Sequence, residues 1–281
     1  MKKFLFALLA FMPLVADAQV IMGGNLPPLE LIKKTVYDSA RVKVYYDYAY
    51  RPDSTNTDKW KKGQVLLLVG SRYTGCYDYY SMRTDSLNDA WCREKRPSLE
   101  AANAMLQVLK NRKYEYPLVI DNTKNKVTAR FDKLKTVQYT QTLEPLAWTL
   151  AAGDSTIAGV RCKKATCRMG GRDWVAWYSE EYNMPFGPYL FRGLPGLIFA
   201  VSDTGNNYVF TLNGLETDAV PAPIYLHKDN DVLKLSREKA WRAYRNAVEN
   251  PVAALTMTNP SIILPEGTTN DKRPYNPIEL E

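Results

Sequence analysis

The chain has 281 residues, 46% of them hydrophobic and 24% charged, proportions ordinary for a globular protein. The formal net charge of +7 is a mild excess over this length. It suits weak attraction to acidic surfaces such as lipopolysaccharide or phospholipid and singles out no nucleic acid. The single histidine, His227, excludes two-histidine zinc sites.

Lys2 and Lys3 precede an apolar run over residues 4–15, broken only by Pro13, and Ala16-Asp17-Ala18 fits the small-x-small cleavage pattern. The expectation is a secretory leader over 1–18, with a mature chain from Gln19 whose net charge falls by one to +6, since Lys2, Lys3 and Asp17 leave together. The run is too short for a bilayer core of about 30 Å, and no later stretch approaches about 20 apolar residues, so no transmembrane segment is expected in the mature chain. No cysteine stands at the cleavage point, which argues against a lipoprotein. The predicted location is the periplasm, or association with the outer membrane.

Residues 41–50 alternate Val42, Val44, Tyr46 and Tyr48 against polar neighbours, the period-two pattern of a half-buried strand. Residues 51–63 read as a loop and 64–73 as a central strand. The tyrosine-rich segment 76–92 supports no assignment. Ser98 is expected to cap a helix with Leu99, Ala102, Leu106 and Leu109 on one face. Short strands follow near 116–121, 126–131 and 136–142.

Gly170-Gly171 separates two β-like runs, as a two-residue hairpin turn with positive φ requires. The implied register sets Arg168 opposite Asp173, Cys167 opposite Trp174, Ala165 opposite Ala176 and Lys163 opposite Tyr178. Further on, Pro195 and Gly196 predict a type II turn with positive φ at Gly196, delivering a buried strand over 197–201. Residues 208–212 return as its antiparallel partner. Ser236 is expected to start a helix with Ala240, Trp241, Tyr244 and Val248 inward. From Asn259 on, Pro260, Pro265, Pro274 and Pro277 predict an extended, mobile tail over 259–281. The expected fold is α+β: mainly antiparallel sheet, curved or half-barrel, with a few helices, in one domain over 19–258.

Four cysteines in an exported chain suggest disulfides. Order along the chain pairs Cys76 with Cys92 and Cys162 with Cys167. Strand geometry objects to the second pair, because five residues of strand span roughly 17 Å and end on opposite faces. Either that strand fails, or Cys162 and Cys167 pair with Cys76 and Cys92, or they stay free; cross-pairing is favoured.

The segment from Asp154 to Glu216 resembles the GLPGLI family of Bacteroidetes envelope proteins. The resemblance runs through Gly159-Val160-Arg161-Cys162-Lys163-Lys164-Ala165, Gly171-Arg172-Asp173-Trp174-Val175-Ala176-Trp177-Tyr178 and Gly187-Pro188-Tyr189 to Gly193-Leu194-Pro195-Gly196-Leu197-Ile198. Asn276-Pro277-Ile278-Glu279-Leu280 is similar to the family's ending, and 67–81 more loosely to its N-terminal region. The chain departs from the pattern at 180–185 and at Cys167. The resemblance implies an exported envelope protein and brings no established activity, substrate or catalytic residues.

Patterns that carry chemistry are few. His227 lies among loop-like residues and is expected in an exposed loop. Ser236-Arg237-Glu238-Lys239 has the serine–lysine spacing of penicillin-recognising enzymes without their companion motifs, so a helix cap is the better reading. Glu180 and Glu181 are adjacent, whereas glycosidase chemistry needs two carboxylates flanking a bond, about 5–10 Å apart. No catalytic residue, metal site or cofactor is expected. Phe186, Tyr189, Phe191, Leu194, Pro195 and Leu197 are candidates for an apolar lip that docks a peptide or lipid, though Pro195 and Gly196 read more readily as scaffold. The expected function is a non-catalytic periplasmic binding or accessory module whose partner is an outer-membrane or periplasmic protein, a peptide or a lipid. A lipid or lipoprotein carrier with an apolar cavity, and an envelope-polymer hydrolase, are the alternatives.

Overall fold

The computed structural model describes residues 26–133, 135–217, 220–229, 231–258, 261–265 and 267–280; the predicted leader and its cleavage point lie outside them. The alternating segments form the strands expected of them. β1 (Lys34–Ala40) is followed by β2 (Val42–Tyr50), where Val44, Tyr46 and Tyr48 point inward, as the alternation dictates. The single strand expected over 64–73 is two: β3 (Lys61–Val69) and β4 (Tyr73–Asp78), folded back on each other past Gly70.

The unassigned segment becomes α1 (Tyr79–Arg93). Buried Asp78 caps it by accepting from Ser81 N at 2.9 Å, while its second oxygen accepts from the backbone of Lys113 and Tyr114. In α2 (Ser98–Leu109), Pro97 occupies the cap position and Ser98 is already helical, so the expected serine cap does not form. β5 (Leu118–Asp121), β6 (Lys126–Asp132) and β7 (Thr136–Thr142) follow close to their predicted places.

β8 (Thr149–Ile157) leads into the hairpin of β9 (Val160–Met169) and β10 (Arg172–Ser179). Gly170 and Gly171 have φ of 57° and 74°, and the four cross-strand pairs stand in the predicted register. β11 (Leu197–Asp203) and β12 (Tyr208–Glu216) pair antiparallel. After β13 (Ala222–His227) and the two-residue β14 (Leu233–Lys234), Ser236 caps α3 (Arg237–Glu249), which buries Ala240, Trp241 and Tyr244. α4 (Pro251–Thr258) completes the elements.

Twelve strands form one sheet in the order β14-β7-β6-β5-β4-β3-β2-β12-β11-β10-β9-β8, antiparallel except for β14 on β7. Three strands separate β5 from β12, a flat distance of about 19 Å at 4.8 Å per strand. Yet Tyr116, just ahead of β5, and Tyr208, which opens β12, bring their hydroxyls to 3.4 Å. The sheet therefore curls around its contents without closing into a barrel. Its concave side holds the main core, where Tyr46, Tyr48, Tyr114 and Tyr208 are each at most 2% exposed. Tyrosine in a core needs a partner for its hydroxyl. Tyr46 donates to Ile198 O at 2.8 Å and Tyr208 to Asn276 O at 2.6 Å. A smaller apolar cluster lies on the opposite face, where β1 and β13 pair as a second sheet and pack with α1 over β3, β4 and β5.

Two expectations are corrected here. The tail is extended, but its end is not loose. Ile278 is fully buried, and Arg172 donates to Pro277 O and Asn276 Oδ1 while also bonding Asp203. The buried carboxylate of Glu279 accepts from Tyr189 and Arg237. Ile278 thereby belongs to the main core.

The four cysteines are free thiols. Cys76 on β4 stands six positions from β9 in the sheet, Cys92 lies on α1 in the other layer, and Cys162 and Cys167 are separated along one strand. None of the anticipated disulfides forms across these separations. Burial pushes the Cys76 and Cys162 thiols up to about 11 and that of Cys167 to about 12. Thiolate is the reactive form, so half-buried Cys92 should alkylate first at pH 8 in the native protein. All four should alkylate after unfolding without reductant. Two thiols that stay unlabelled under those conditions would overturn the assignment.

Candidate functional site

The GLPGLI segment is built into the core. Phe191 packs edge-on against Trp174 with centroids 4.6 Å apart, and Trp148 donates to Arg192 O at 2.8 Å. Tyr189, Phe191, Leu194 and Leu197 are each at most 3% exposed, Phe186 is half-buried and Pro195 alone is exposed. The six residues do not form a lip. The void beside them, lined by Leu67, Cys76, Phe186 and Tyr189 among others, measures about 10 Å³. That is room for roughly one water.

The expected type II turn is also absent. Gly196 does not have positive φ; Gly193 does, at 92°. Gly196 is required for a different reason: a Cβ there would stand 2.0 Å from Ser179 O, where the start of β11 crosses the end of β10. Glycine serves close approach here, not turn geometry.

An open groove of about 300 Å³ lies at this same end of the strand Arg172–Ser179, lined by Asp154, Arg161, Lys163, Tyr178, Ser179, Glu180 and Glu181. Strand alternation and the hairpin register assemble it, with β8 as one wall, β9 supplying both cations and β10 running into the two glutamates. Arg161 pairs with Asp154 at 2.9 Å and Lys163 with Glu180 at 2.8 Å. These carboxylates raise the pKa of the Arg161 and Lys163 side chains. Exposed pairs of this kind contribute little to stability. They leave a surface of both signs suited to a ligand that carries both. Glu180 is held as the partner of a cation, the opposite of the desolvated acid that glycoside cleavage requires.

β8 is a nine-residue strand at the end of the sheet, with Leu150 63% exposed. The other end is the two-residue β14. Edge strands present unpaired backbone N–H and C=O groups to an incoming strand. A bulge between Ala151 and Asp154, at Gly153, divides this edge into two short ladders.

A second polar constellation escaped the sequence reading. Asp85, Asn88, Asp89 and Cys92 recur at helical spacing along α1 and grip the other layer. Asn88 donates to Glu30 O at 2.8 Å, Asp89 accepts from Ile32 N at 2.9 Å and from Lys34, and Cys92 donates to Leu29 O at 3.1 Å. Asp85 Oδ2 accepts from the Tyr225 hydroxyl at 2.7 Å and meets His227 Nε2 at 2.5 Å. His227 is thus the last residue of β13 and half-buried, not a free loop residue. A stripe of polar residues at helical spacing was the available signal, and apolar periodicity passes over it. Ser236 accepts from Lys239 N at 3.4 Å as a helix cap, so the serine–lysine spacing serves α3.

No family model matches the chain, and no curated protein matches it. Among solved structures it is similar to PNGF-II in two crystal forms. The P21 form gives 12% identity and a TM-score of 0.44 over 74% of this chain and 34% of that one. The C2 form gives 11% identity and 0.45 over 73% and 32%. The chain thus spans about a third of the length of those structures. A likeness at this level carries no argument about activity.

Proposed function

We propose that the chain is an exported, non-catalytic binding module of the cell envelope, related to the GLPGLI proteins its motifs resemble, that takes an extended polypeptide segment of a partner. The observation that carries this reading is the exposed β8 edge beside a groove with both signs of charge. Only a polypeptide supplies backbone donors and acceptors at the repeat of a strand. The groove's two ion pairs would then exchange partners with charged side chains of the segment. An apolar lipid fits less well, because the void described in the core has the volume of about one water.

Panning a displayed nine-residue peptide library tests the proposal. Enriched peptides should bind with an affinity that Lys163→Glu lowers about tenfold, as expected for reversing one charge in an interface. Leu150→Lys should weaken them likewise, with thermal stability unchanged in both variants. Enrichment of nothing, or of peptides indifferent to both substitutions, would defeat the reading.

A further inference from the structure

The β1–β13 pair is a layer apart from the main sheet, and it is fastened in two ways. Beneath it, Ile224 and Leu226 pack on Leu66, Leu68, Tyr77 and Val119 of the outer sheet face. Along its flank, the fastening is the polar stripe of α1. Apolar contact is insensitive to pH, whereas a flank of carboxylates and one imidazole is not. We propose that this layer is a pH-sensitive cover over the apolar outer face of β3, β4 and β5, latched where His227 of β13 meets Asp85 of α1.

The charges around the imidazole support a latch. Asp85 approaches from α1, Asp132 from the end of β6 and Asp229 from just beyond β13. Arg130 of β6 donates to His227 O at 2.6 Å and pairs with Asp229 at 3.7 Å. Lys34 of β1 stands opposite His227 in the ladder, with its ammonium 4.7 Å from the Tyr225 ring centroid. The Tyr225 ring stacks on the imidazole at 5.9 Å, and its hydroxyl shares the Asp85 oxygen. With Asp89, which accepts from Lys34, four carboxylates therefore face two cations while the imidazole is neutral, and three once it is protonated. One oxygen of Asp132 is buried with no hydrogen-bond partner among the described residues.

Burial acts to lower the His227 pKa, but the hydrogen bond and charge of Asp85, reinforced by Asp132 and Asp229, outweigh it and raise the value above 6.5. A raised folded-state pKa gives a contribution that is complete below the unfolded value and is lost as pH rises through the folded one. The latch is therefore tight in mild acid and slack in mild alkali. The imidazole is the side chain whose ordinary pKa lies in that window, which makes it the switching group.

Two measurements on the full chain decide the matter. The imidazole Hε1 proton gives a single NMR resonance, because the chain has one histidine. It should titrate above the ordinary value. Hydrogen exchange over 29–34 and 222–227, corrected for intrinsic rates, should show greater protection at pH 5.5 than at pH 8.5. The ratio should be about tenfold per pKa unit of elevation. β9 and β10 should not change, and His227→Gln should abolish the difference while matching the wild-type protein at pH 8.5. A histidine that titrates at or below the ordinary value, equal protection at both pH values, or a difference that survives His227→Gln would overturn the proposal. If that variant does not fold, the wild-type titration and exchange decide alone.

Discussion

Deleting residues 276–280 should abolish the folded state, although the segment contains no helix or strand. Its removal strips Arg172 of Pro277 O and Asn276 Oδ1, leaving Asp203 as its acceptor. Hydrogen bonds to a charged group of this kind contribute about 1.5–3 kcal/mol. The Tyr189 hydroxyl loses Glu279, at about 1–3 kcal/mol for a buried group left unpaired, and the Tyr208 hydroxyl loses Asn276 O and keeps Tyr116. Loss of Ile278 opens a cavity in the main core. Together these approach the whole net stability of a domain, about 5–15 kcal/mol. The graded version is Ile278→Ala, expected to cost about 2–5 kcal/mol and to lower the melting temperature by about 10 °C. Calorimetry of both variants checks this. A cooperative transition in the deletion within a few degrees of the intact chain would show that the tail is dispensable.

Gly196→Ala should destabilise far more than Gly193→Ala, the reverse of what backbone conformation alone suggests. Gly193 has φ of 92°, but no atom lies within 4 Å of where an added methyl carbon would stand, so alanine there costs conformational strain alone, about 1–2 kcal/mol. At Gly196 the same methyl meets Ser179 O at 2.0 Å, Ser179 C at 2.6 Å and Glu180 Cα at 2.9 Å, all of them backbone. No rotamer relieves a clash with backbone. β10 and β11 would have to separate where Ser179 pairs with Leu197, beneath the buried Leu197-Ile198-Phe199 run. We expect a cost of about 3 kcal/mol or more. Urea midpoints of the two variants give the comparison directly, and equal midpoints would return Gly196 to a turn role.

Much of the sheet was legible in the residues because its signals are local. Alternation in β2 and the glycine pair at 170–171 act over a few residues, and a strand's period of two allows only one register to bury Trp174, Ala176 and Tyr178 together. The run over 197–201 announced a buried strand for the same reason. The candidate site was legible only in part. Glu180, Glu181 and Lys163 were noticed singly, but the groove exists because β8 folds back along β9 with a bulge. α1 stayed hidden because its buried stripe is polar, made of Asn88 and Asp89 with Thr84, and apolar periodicity does not report such a face.

By itself, then, the sequence determined the α+β class, the hairpin and its register, the capped helix at Ser236, and the expectation of an exported chain. Only the tertiary structure decided that the GLPGLI segment is core, that Ile278 and Glu279 of the proline-rich tail are buried in it, that the cysteines stand apart and that His227 meets Asp85 of the other layer. In each of those cases the deciding contact joins residues far apart along the chain. Burial and charge partnership at such contacts are properties of the assembled fold, and no local pattern encodes them.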